Sequence, residues 1–203
     1  MSRDICIYQE FLTEAHKGQI QAACQETGFT PHFFTLDQFE EAKACLQHCE
    51  VLYAHSADLL REAPAGLQWY CCSFAGVDLY CKHPEFFANP DCLLTNSNVY
   101  GVTIAEHVVM VTLMLLRRMP EYIEVVRNHS WSNQLSIRSI RDNEFTILGT
   151  GDIGRHVAER MRGMGAAKIV GLSRSGRPHP AFDAVYPISA LDQMLPQTKI
   201  LVM

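Results

Sequence analysis

The chain has 203 residues, of which 48% are hydrophobic and 19% charged, and its formal net charge is −5 at pH 7. This composition is ordinary for a globular protein and excludes a disordered or collagen-like chain; no apolar run approaches the length that spans a bilayer. At the N-terminus, Asp4, Gln9 and Glu10 surround a short apolar patch, which is not the pattern of a signal peptide, so we expect no membrane association and a cytoplasmic location.

Charge and cysteine are distributed unevenly along the chain. Residues 1–100 carry 5 Lys and Arg against 13 Asp and Glu, whereas residues 101–203 carry 12 against 9. All eight cysteines lie at or before position 92. Both shifts indicate a domain boundary near position 100. The positive excess of the second half is too small for a nucleic-acid surface, so no nucleic-acid partner is predicted.

The cysteines allow two interpretations, buried free thiols or a metal site. Cys45 and Cys49 lie one helical turn apart beside His48, and Cys71 and Cys72 are adjacent, but no C-x-x-C pair occurs. The surrounding segments have ordinary helix and strand patterns. We therefore favour free thiols in a reducing compartment and predict no metal site.

Strand and helix patterns alternate through the first hundred residues. Short apolar runs predict strands at 5–8, 31–34, 51–54, 67–72 and 92–95, and periodic segments predict helices at 13–27, 36–49 and 58–62. Gly28 is placed to end the first helix. Such alternation is typical of an α/β fold with a parallel sheet covered on both faces.

The loop Ser73-Phe74-Ala75-Gly76-Val77-Asp78 follows the fourth predicted strand. It lies at the carboxyl end of a parallel strand, where such sheets bind ligands. Ala75 and Gly76 are small enough to expose backbone N–H groups to a carboxylate. The alternative is a plain turn in which Asp78 caps the next short helix, and the local sequence does not separate the two.

A strongly apolar helix is predicted from Thr103 to about Met119, opening with a capping box formed by Thr103 and Glu106. Apolar residues cover nearly every face, so we expect burial all round, between domains or against a second subunit. Pro120 is placed to begin a further helix.

The sequence pattern identifies no histidine as a general base. Glu106 and His107 are consecutive on a helix and point about 100° apart, which excludes them as a dyad. His55, His129 and His156 have no carboxylate placed by the sequence to orient them, and we interpret each as a surface or boundary histidine.

A glycine loop, Gly149-Thr150-Gly151-Asp152-Ile153-Gly154, follows the apolar run 145–148 and precedes a helix with Ile153, Val157, Met161 and Met164 on one face. Gly165 is placed to end that helix, and a second strand is predicted at 168–172. The G-x-G-x-x-G spacing allows a sharp turn, close approach of a pyrophosphate and close packing of helix on strand. Within a strand–helix–strand unit, it predicts a dinucleotide site.

The end of the second strand indicates which dinucleotide is preferred. An NAD site has an Asp or Glu there for the ribose hydroxyls, but residues 172–177 contain no carboxylate. Ser173, Arg174, Ser175 and Arg177 would instead suit a 2′-phosphate. We therefore predict NADP(H) as the preferred cofactor, with NAD(H) possible. The alternative is that both arginines are solvated loop residues.

In order and spacing, these segments resemble the D-isomer-specific 2-hydroxyacid dehydrogenases, the family of glyoxylate/hydroxypyruvate reductases and D-lactate dehydrogenases. The resemblance rests on Ser73–Asp78, Thr95-Asn96, Gly101 with Ile104-Ala105-Glu106-His107, and the glycine loop. It implies a flavodoxin-like substrate domain at 1–100, then linking helices and part of a Rossmann doubly wound domain at 101–203. It further implies a 2-oxo acid carboxylate on the N–H groups of Ala75, Gly76 and Val77, and a nicotinamide near Thr103.

The family's catalytic Arg, Glu and His come later in its pattern, beyond the strand predicted at 199–203. We therefore expect no catalytic residue among these 203, an incomplete Rossmann sheet of three strands, and a chain that is a fragment and inactive alone. The family also pairs through the long helix and the arm after it, so a homodimer is expected, with burial inside one chain as the alternative. A non-enzymatic nucleotide-sensing or partner-binding module on the same fold is the alternative function.

Overall fold

The computed structural model describes residues 3–203, except for the side chain of Asp142. The chain divides into two compact units, Met1–Asn98 and Val99–Met203. Within the described residues, no helix has the length and apolar character needed to cross a membrane.

The first unit is built on a five-stranded parallel sheet with the strand order β2-β1-β3-β4-β5. This is the flavodoxin-like order, in which the strand sequence reverses beside β1. The predicted α/β class and parallel sheet are therefore confirmed. Its elements are β1 (Arg3–Tyr8), α1 (Glu14–Thr27), β2 (Phe29–Phe34), α2 (Phe39–Leu46), β3 (Val51–Ala54), α3 (Ala57–Arg61), β4 (Trp69–Cys72), α4 (Asp78–Lys82) and β5 (Leu93–Thr95).

Local sequence explains the ends of α1 better than those of α2. Thr13 accepts a hydrogen bond from the N–H of His16, and Gly28 ends α1 in the left-handed conformation with φ 76°. The helix predicted over 36–49 is shorter, because α2 begins at Phe39 after a turn in which Thr35 bonds to Gln38. The core of the unit includes the buried residues Leu46, Leu52, Leu59, Leu60 and Tyr70.

The second unit contains a four-stranded parallel sheet with the order β8-β7-β6-β9. The prediction of three strands in this region is wrong. The fourth strand, β8, is short and ends in a proline, so it lacks the apolar run by which the other strands were predicted. Its elements are α5 (Gly101–Leu116), α6 (Met119–Arg127), β6 (Glu144–Leu148), α7 (Asp152–Gly163), β7 (Lys168–Ser173), β8 (Ala184–Pro187), α8 (Leu191–Met194) and β9 (Ile200–Val202).

The buried face of α7 differs from the predicted one. Val157 and Met161 are buried as expected, but Ile153 and Met164 are 43% and 41% exposed. Gly154 and Ala158 take their place on the inner face, against the first strand of the sheet. Small residues here bring the helix axis close to β6, which moves the larger side chains at both ends to the margin of the contact.

Helix α5 begins two residues before its predicted start, and the predicted capping box is wrong. Its cap residue is Tyr100, and the Thr103 hydroxyl donates to the Tyr100 carbonyl instead of accepting from the backbone. Gly101, the first residue of the helix, lies close to α7, since a Cβ there would lie 2.3 Å from Oδ2 of Asp152. The chain does not bury α5 all round: Leu115 is 64% exposed. The homodimer stays a prediction.

All eight cysteines are free thiols, and Sγ of Cys45 lies 3.7 Å from Sγ of Cys49. Among the described residues, no three His, Cys, Asp or Glu side chains are grouped to hold a metal ion. Burial, followed by the neighbouring Cys45 thiol, raises the pKa of Cys6 to about 12. An unfolded thiol has a pKa of about 8.5.

The first unit should therefore lose stability as the pH rises above about 8.5 towards the folded pKa of Cys6. Over this range the unfolded thiol has lost its proton while the folded one keeps it, so higher pH favours unfolding. Urea denaturation followed by circular dichroism at several pH values between 7.5 and 10.5 measures the slope. A Cys6→Ala variant should have a shallower slope, whereas Cys81→Ala, at an exposed thiol, should not; an unchanged slope in Cys6→Ala contradicts the prediction.

Candidate functional site

The glycine loop leaves β6 at the carboxyl edge of the second sheet. Gly149 has φ 96°, a conformation that side chains disfavour, and its N–H donates to the carbonyl of Leu172 at the end of β7 over 2.7 Å. The sharp turn predicted for this position is therefore present. It directs the chain straight from the strand into α7.

The two other glycines of the loop have opposite surroundings. A Cβ at Gly154 would lie 1.9 Å from the carbonyl oxygen of Gly149, so the helix packs directly on the loop backbone. A Cβ at Gly151 would meet nothing within 4 Å. The loop therefore has open space on the side of Gly151 and none at Gly154, as a pyrophosphate-binding turn requires.

Backbone N–H groups at the start of α7 are free to bind an anion. The first-turn N–H groups of a helix have no intrahelical acceptor, and in the described part of the chain no other backbone carbonyl accepts from Gly151, Asp152 or Ile153. These N–H groups and the helix dipole favour negative charge at this end.

One acidic residue, Asp152, lies in the first turn of α7, where it could repel an anion. Its carboxylate pairs with the Arg155 guanidinium at 3.0 Å, and Arg155 also pairs with Glu159 at 3.0 Å. Hydrogen bonding to Glu159 and then to Asp152 raises the pKa of Arg155. Arg155 thus offsets the charge of Asp152.

The segment after β7 forms a tight turn with two outward arginines. The Ser173 hydroxyl accepts from the N–H of Gly176 over 3.1 Å, and Gly176 has φ 65°. Arg174 and Arg177 are exposed, and neither forms an ion pair with another described residue. A ligand phosphate at this turn would meet two unpaired guanidinium groups and a serine hydroxyl that can still donate.

In the first unit, residues that follow two other strands, β1 and β5, hold the loop Ser73–Asp78. Gln9, which follows β1, donates to the Ser73 hydroxyl. Asn96, which follows β5, donates to the carbonyl of Ala75 over 2.6 Å, and the Ser97 N–H donates to the carbonyl of Phe74 over 3.3 Å. These bonds engage carbonyls of the loop and leave the N–H groups of Ala75 and Gly76 without a backbone acceptor in the described chain.

The alternative interpretation of this loop, a plain turn in which Asp78 caps the next helix, gains no support. Val77 is the cap residue of α4 and no side chain caps the helix, while Asp78 already lies in the first turn. A Cβ at Gly76 would meet nothing within 4 Å. The loop is thus a fixed backbone turn with an open surface.

Sequence reasoning did not place Gln9 or His55 beside this loop, and it missed the hydrogen bond by which Asn96 supports the loop. The His55 ring stacks on Phe74 with 4.2 Å between ring centroids. No local pattern reveals this, since each residue follows a different strand. The alternation of strands and helices could have placed all three at one edge.

The sites predicted from sequence thus fall into two groups, each within one unit. Ala75, Gly76 and Val77 lie together in the first unit. In the second, the glycine loop lies beside the end of β7 and hence near Ser173, and Thr103 lies in the first turn of α5, whose Gly101 contacts Asp152 and His156.

Residues 109–203 match the NAD-binding domain of the D-isomer-specific 2-hydroxyacid dehydrogenases. A D-lactate dehydrogenase of Staphylococcus epidermidis is 31% identical over 100 residues, which are 48% of this chain and 29% of that protein. The match therefore covers less than a third of the curated relative.

The chain is similar to solved structures over nearly its whole length. A D-isomer-specific 2-hydroxyacid dehydrogenase family protein from Aeromonas salmonicida is 28% identical, with a TM-score of 0.81 over 99% of this chain and 63% of that one. An NADPH-dependent glyoxylate/hydroxypyruvate reductase from Sinorhizobium meliloti, solved with NADP and sulfate, is 25% identical, with a TM-score of 0.75 over 98% of this chain and 61% of that one.

The parallel sheet, the glycine turn and the matching family model together define the second unit as an NAD(P)-binding domain of the Rossmann type. The first unit has the flavodoxin-like strand order. Residues 109–203 match the family model of the D-isomer-specific 2-hydroxyacid dehydrogenases, and the whole chain is similar in fold to a solved protein of that family.

Proposed function

We propose that the second unit binds NADP(H) in preference to NAD(H). The observation that carries this preference is the turn after β7, where Arg174 and Arg177 are exposed and form no ion pair with another described residue. The open space at Gly151, beside free first-turn N–H groups, would take the diphosphate. The 2′-phosphate would lie on Ser173, Arg174, Ser175 and Arg177. Guanidinium groups bind phosphate with paired, charge-assisted hydrogen bonds, and no carboxylate in the turn opposes them. The Sinorhizobium meliloti relative, described as NADPH-dependent, supports the same preference.

For the whole protein we propose reduction of a small 2-oxo acid of the glyoxylate or hydroxypyruvate kind to its 2-hydroxy acid. When bound, a reduced nicotinamide supplies the hydride for such a reaction. Residues of this chain would bind and orient the reactants. Free N–H groups at Ala75, Gly76 and Val77 would hold the substrate carboxylate, and Thr103 would lie near the nicotinamide. The names of relatives that act on lactate, glyoxylate or hydroxypyruvate support this reaction class.

Replacing both arginines should test the coenzyme preference directly. In an Arg174→Ala, Arg177→Ala double variant, NADPH affinity should fall by at least about 100-fold, because hydrogen bonds to charged groups contribute about 1.5–3 kcal/mol each and two such groups are lost. NADH affinity should change by less than about threefold, since NADH has no 2′-phosphate to lose contacts. Isothermal titration of the 203-residue chain with each coenzyme measures both values.

The matched control is Arg127→Ala, which removes an exposed arginine paired with Glu124 in the same unit and should leave both affinities unchanged. NADH binding as tightly as NADPH to the unsubstituted chain would contradict the preference. Absence of binding by either coenzyme would contradict the dinucleotide site itself.

A further inference from the structure

A pocket of about 480 Å³ lies in the second unit at the amino ends of β6 and β9. Asn143 directly precedes β6 and Lys199 directly precedes β9, and both residues line the pocket. The glycine loop follows the opposite end of β6, and this strand of five residues spans about 16 Å. We call this feature the amino-end pocket, and it is separate from the proposed coenzyme site.

Three cationic side chains line the amino-end pocket: Arg117 at the end of α5, Arg138 in the segment before β6, and Lys199. No carboxylate is among its described lining residues, and none of the three cations forms an ion pair with a described side chain. The carboxyl end of α5 has a partial negative charge of about half a unit. It offsets only part of the charge of Arg117, so most of the positive charge in the pocket is left without a partner.

Hydrogen bonds hold the backbone around the pocket in place. The Arg138 N–H donates to the carbonyl of Leu116 over 2.9 Å, which keeps Arg138 beside the end of α5. Asn143 is only 4% exposed, and its Nδ2 donates to the carbonyl of Ser139. The Ala167 N–H donates to the carbonyl of Asn143 over 3.0 Å. A ligand would therefore meet a backbone that is ordered before binding, which lowers the entropy cost of binding.

Two polar groups beside the cations can bind ligand hydroxyl groups. The Ser139 hydroxyl oxygen accepts from the Arg141 N–H over 3.3 Å, which leaves its O–H free to donate. Oδ1 of Asn143 accepts no hydrogen bond from a described residue. Since no enclosed side-chain oxygen in the described chain lacks a partner, this atom is open on the side of the pocket. The pocket therefore offers positive charge together with one hydroxyl donor and one amide acceptor.

We propose that the amino-end pocket binds a phosphorylated small molecule that also carries hydroxyl groups, a sugar phosphate by chemical class. Arg117, Arg138 and Lys199 would surround the phosphate dianion, the arginines with charge-assisted hydrogen bonds. Ser139 and Asn143 would bind the hydroxyl groups. The volume is that of a small-molecule site, and three cations are too few for a nucleic-acid surface. The proposal does not depend on the proposed function, because none of these residues belongs to the coenzyme site.

Nuclear magnetic resonance of the isotope-labelled 203-residue chain can locate binding of glucose 6-phosphate, with glucose and inorganic phosphate as matched probes. We expect glucose 6-phosphate to shift the amide signals of Arg138, Ser139, Asn143 and Lys199 to saturation, and glucose to shift none of them. Inorganic phosphate should bind about tenfold more weakly, the effect of losing two net hydrogen bonds. Shifts confined to residues 151–153 would place the sugar phosphate at the coenzyme turn and overturn the proposal, without contradicting the coenzyme site.

Variants separate a built site from general attraction to positive charge. Arg138→Gln and Lys199→Gln should each weaken glucose 6-phosphate binding about tenfold or more, since each removes a charged hydrogen-bond donor; unchanged amide spectra elsewhere confirm folding. Lys168→Gln, which removes an exposed lysine of the same unit outside the pocket, should weaken binding less than about twofold. Equal losses in all three variants, or inorganic phosphate binding as tightly as glucose 6-phosphate, would overturn the sugar-phosphate site.

Discussion

A Gly151→Val variant should fold normally and bind NADPH roughly 100-fold more weakly, or worse. Gly151 has φ −73° and ψ −161°, a conformation open to any residue. A Cβ there meets no atom within 4 Å, so the folded chain accommodates the side chain. The isopropyl group would instead occupy the space of the diphosphate and separate it from the first-turn N–H groups. Loss of two charge-assisted hydrogen bonds costs about 3–6 kcal/mol.

Titration calorimetry gives the affinity, and thermal unfolding shows whether the fold is intact. The control is Gly66→Val in the first unit, where a Cβ also meets nothing within 4 Å and binding should be unaffected. If Gly151→Val binds NADPH as well as the unsubstituted chain, the diphosphate does not lie at this turn, and the proposed coenzyme site is wrong.

Unlike Gly151→Val, a Gly154→Ala variant should lose stability: we expect it to destabilise the second unit by about 3 kcal/mol. The added methyl would lie 1.9 Å from the carbonyl oxygen of Gly149 and 3.0 Å from its carbonyl carbon. Both are backbone atoms, so no side-chain rotation relieves the clash. Helix α7 must move away from β6, which opens the contact around Val157 and Met161. Urea denaturation followed by circular dichroism measures the loss.

Gly163→Ala makes the same substitution in the same helix and serves as the control. A Cβ at Gly163 meets nothing within 4 Å, and alanine is favoured over glycine in a helix by about 1 kcal/mol. This variant should therefore be slightly more stable than the parent chain. A Gly154→Ala variant within about 0.5 kcal/mol of the parent, the range of ordinary surface changes, would show that close packing of α7 on the loop is not required.

The sequence predicts the elements whose determinants are local. Gly149, Gly151 and Gly154 define a turn through neighbouring residues alone, and the strands on either side are short apolar runs of the expected length. The same holds for α1, where Thr13 and Gly28 lie at the ends of the helix they terminate. The fold class, the parallel direction of the strands and the geometry of the glycine loop can therefore be predicted from these local patterns.

Features that depend on distant partners were missed or misassigned. The close approach of Gly101 to Asp152 joins residues far apart in the chain, and no capping pattern contains it. Ile153 is exposed because the inner face of α7 is fixed by how closely the helix approaches β6. His55 acquires neighbours only when β3 and β4 pair, so a lone histidine in the sequence gives no indication of its surroundings.

Each proposed binding surface belongs to a unit with its own hydrophobic core: Leu52 and Tyr70 lie in one, Phe145 and Ile169 in the other. Arg174 lies in neither core, so exchanging this residue to alter coenzyme choice should leave both interiors intact. Natural variation could therefore revise the coenzyme preference in a single step without compensating changes elsewhere. This separation offers a physical route by which one scaffold diversifies in the coenzyme that it uses.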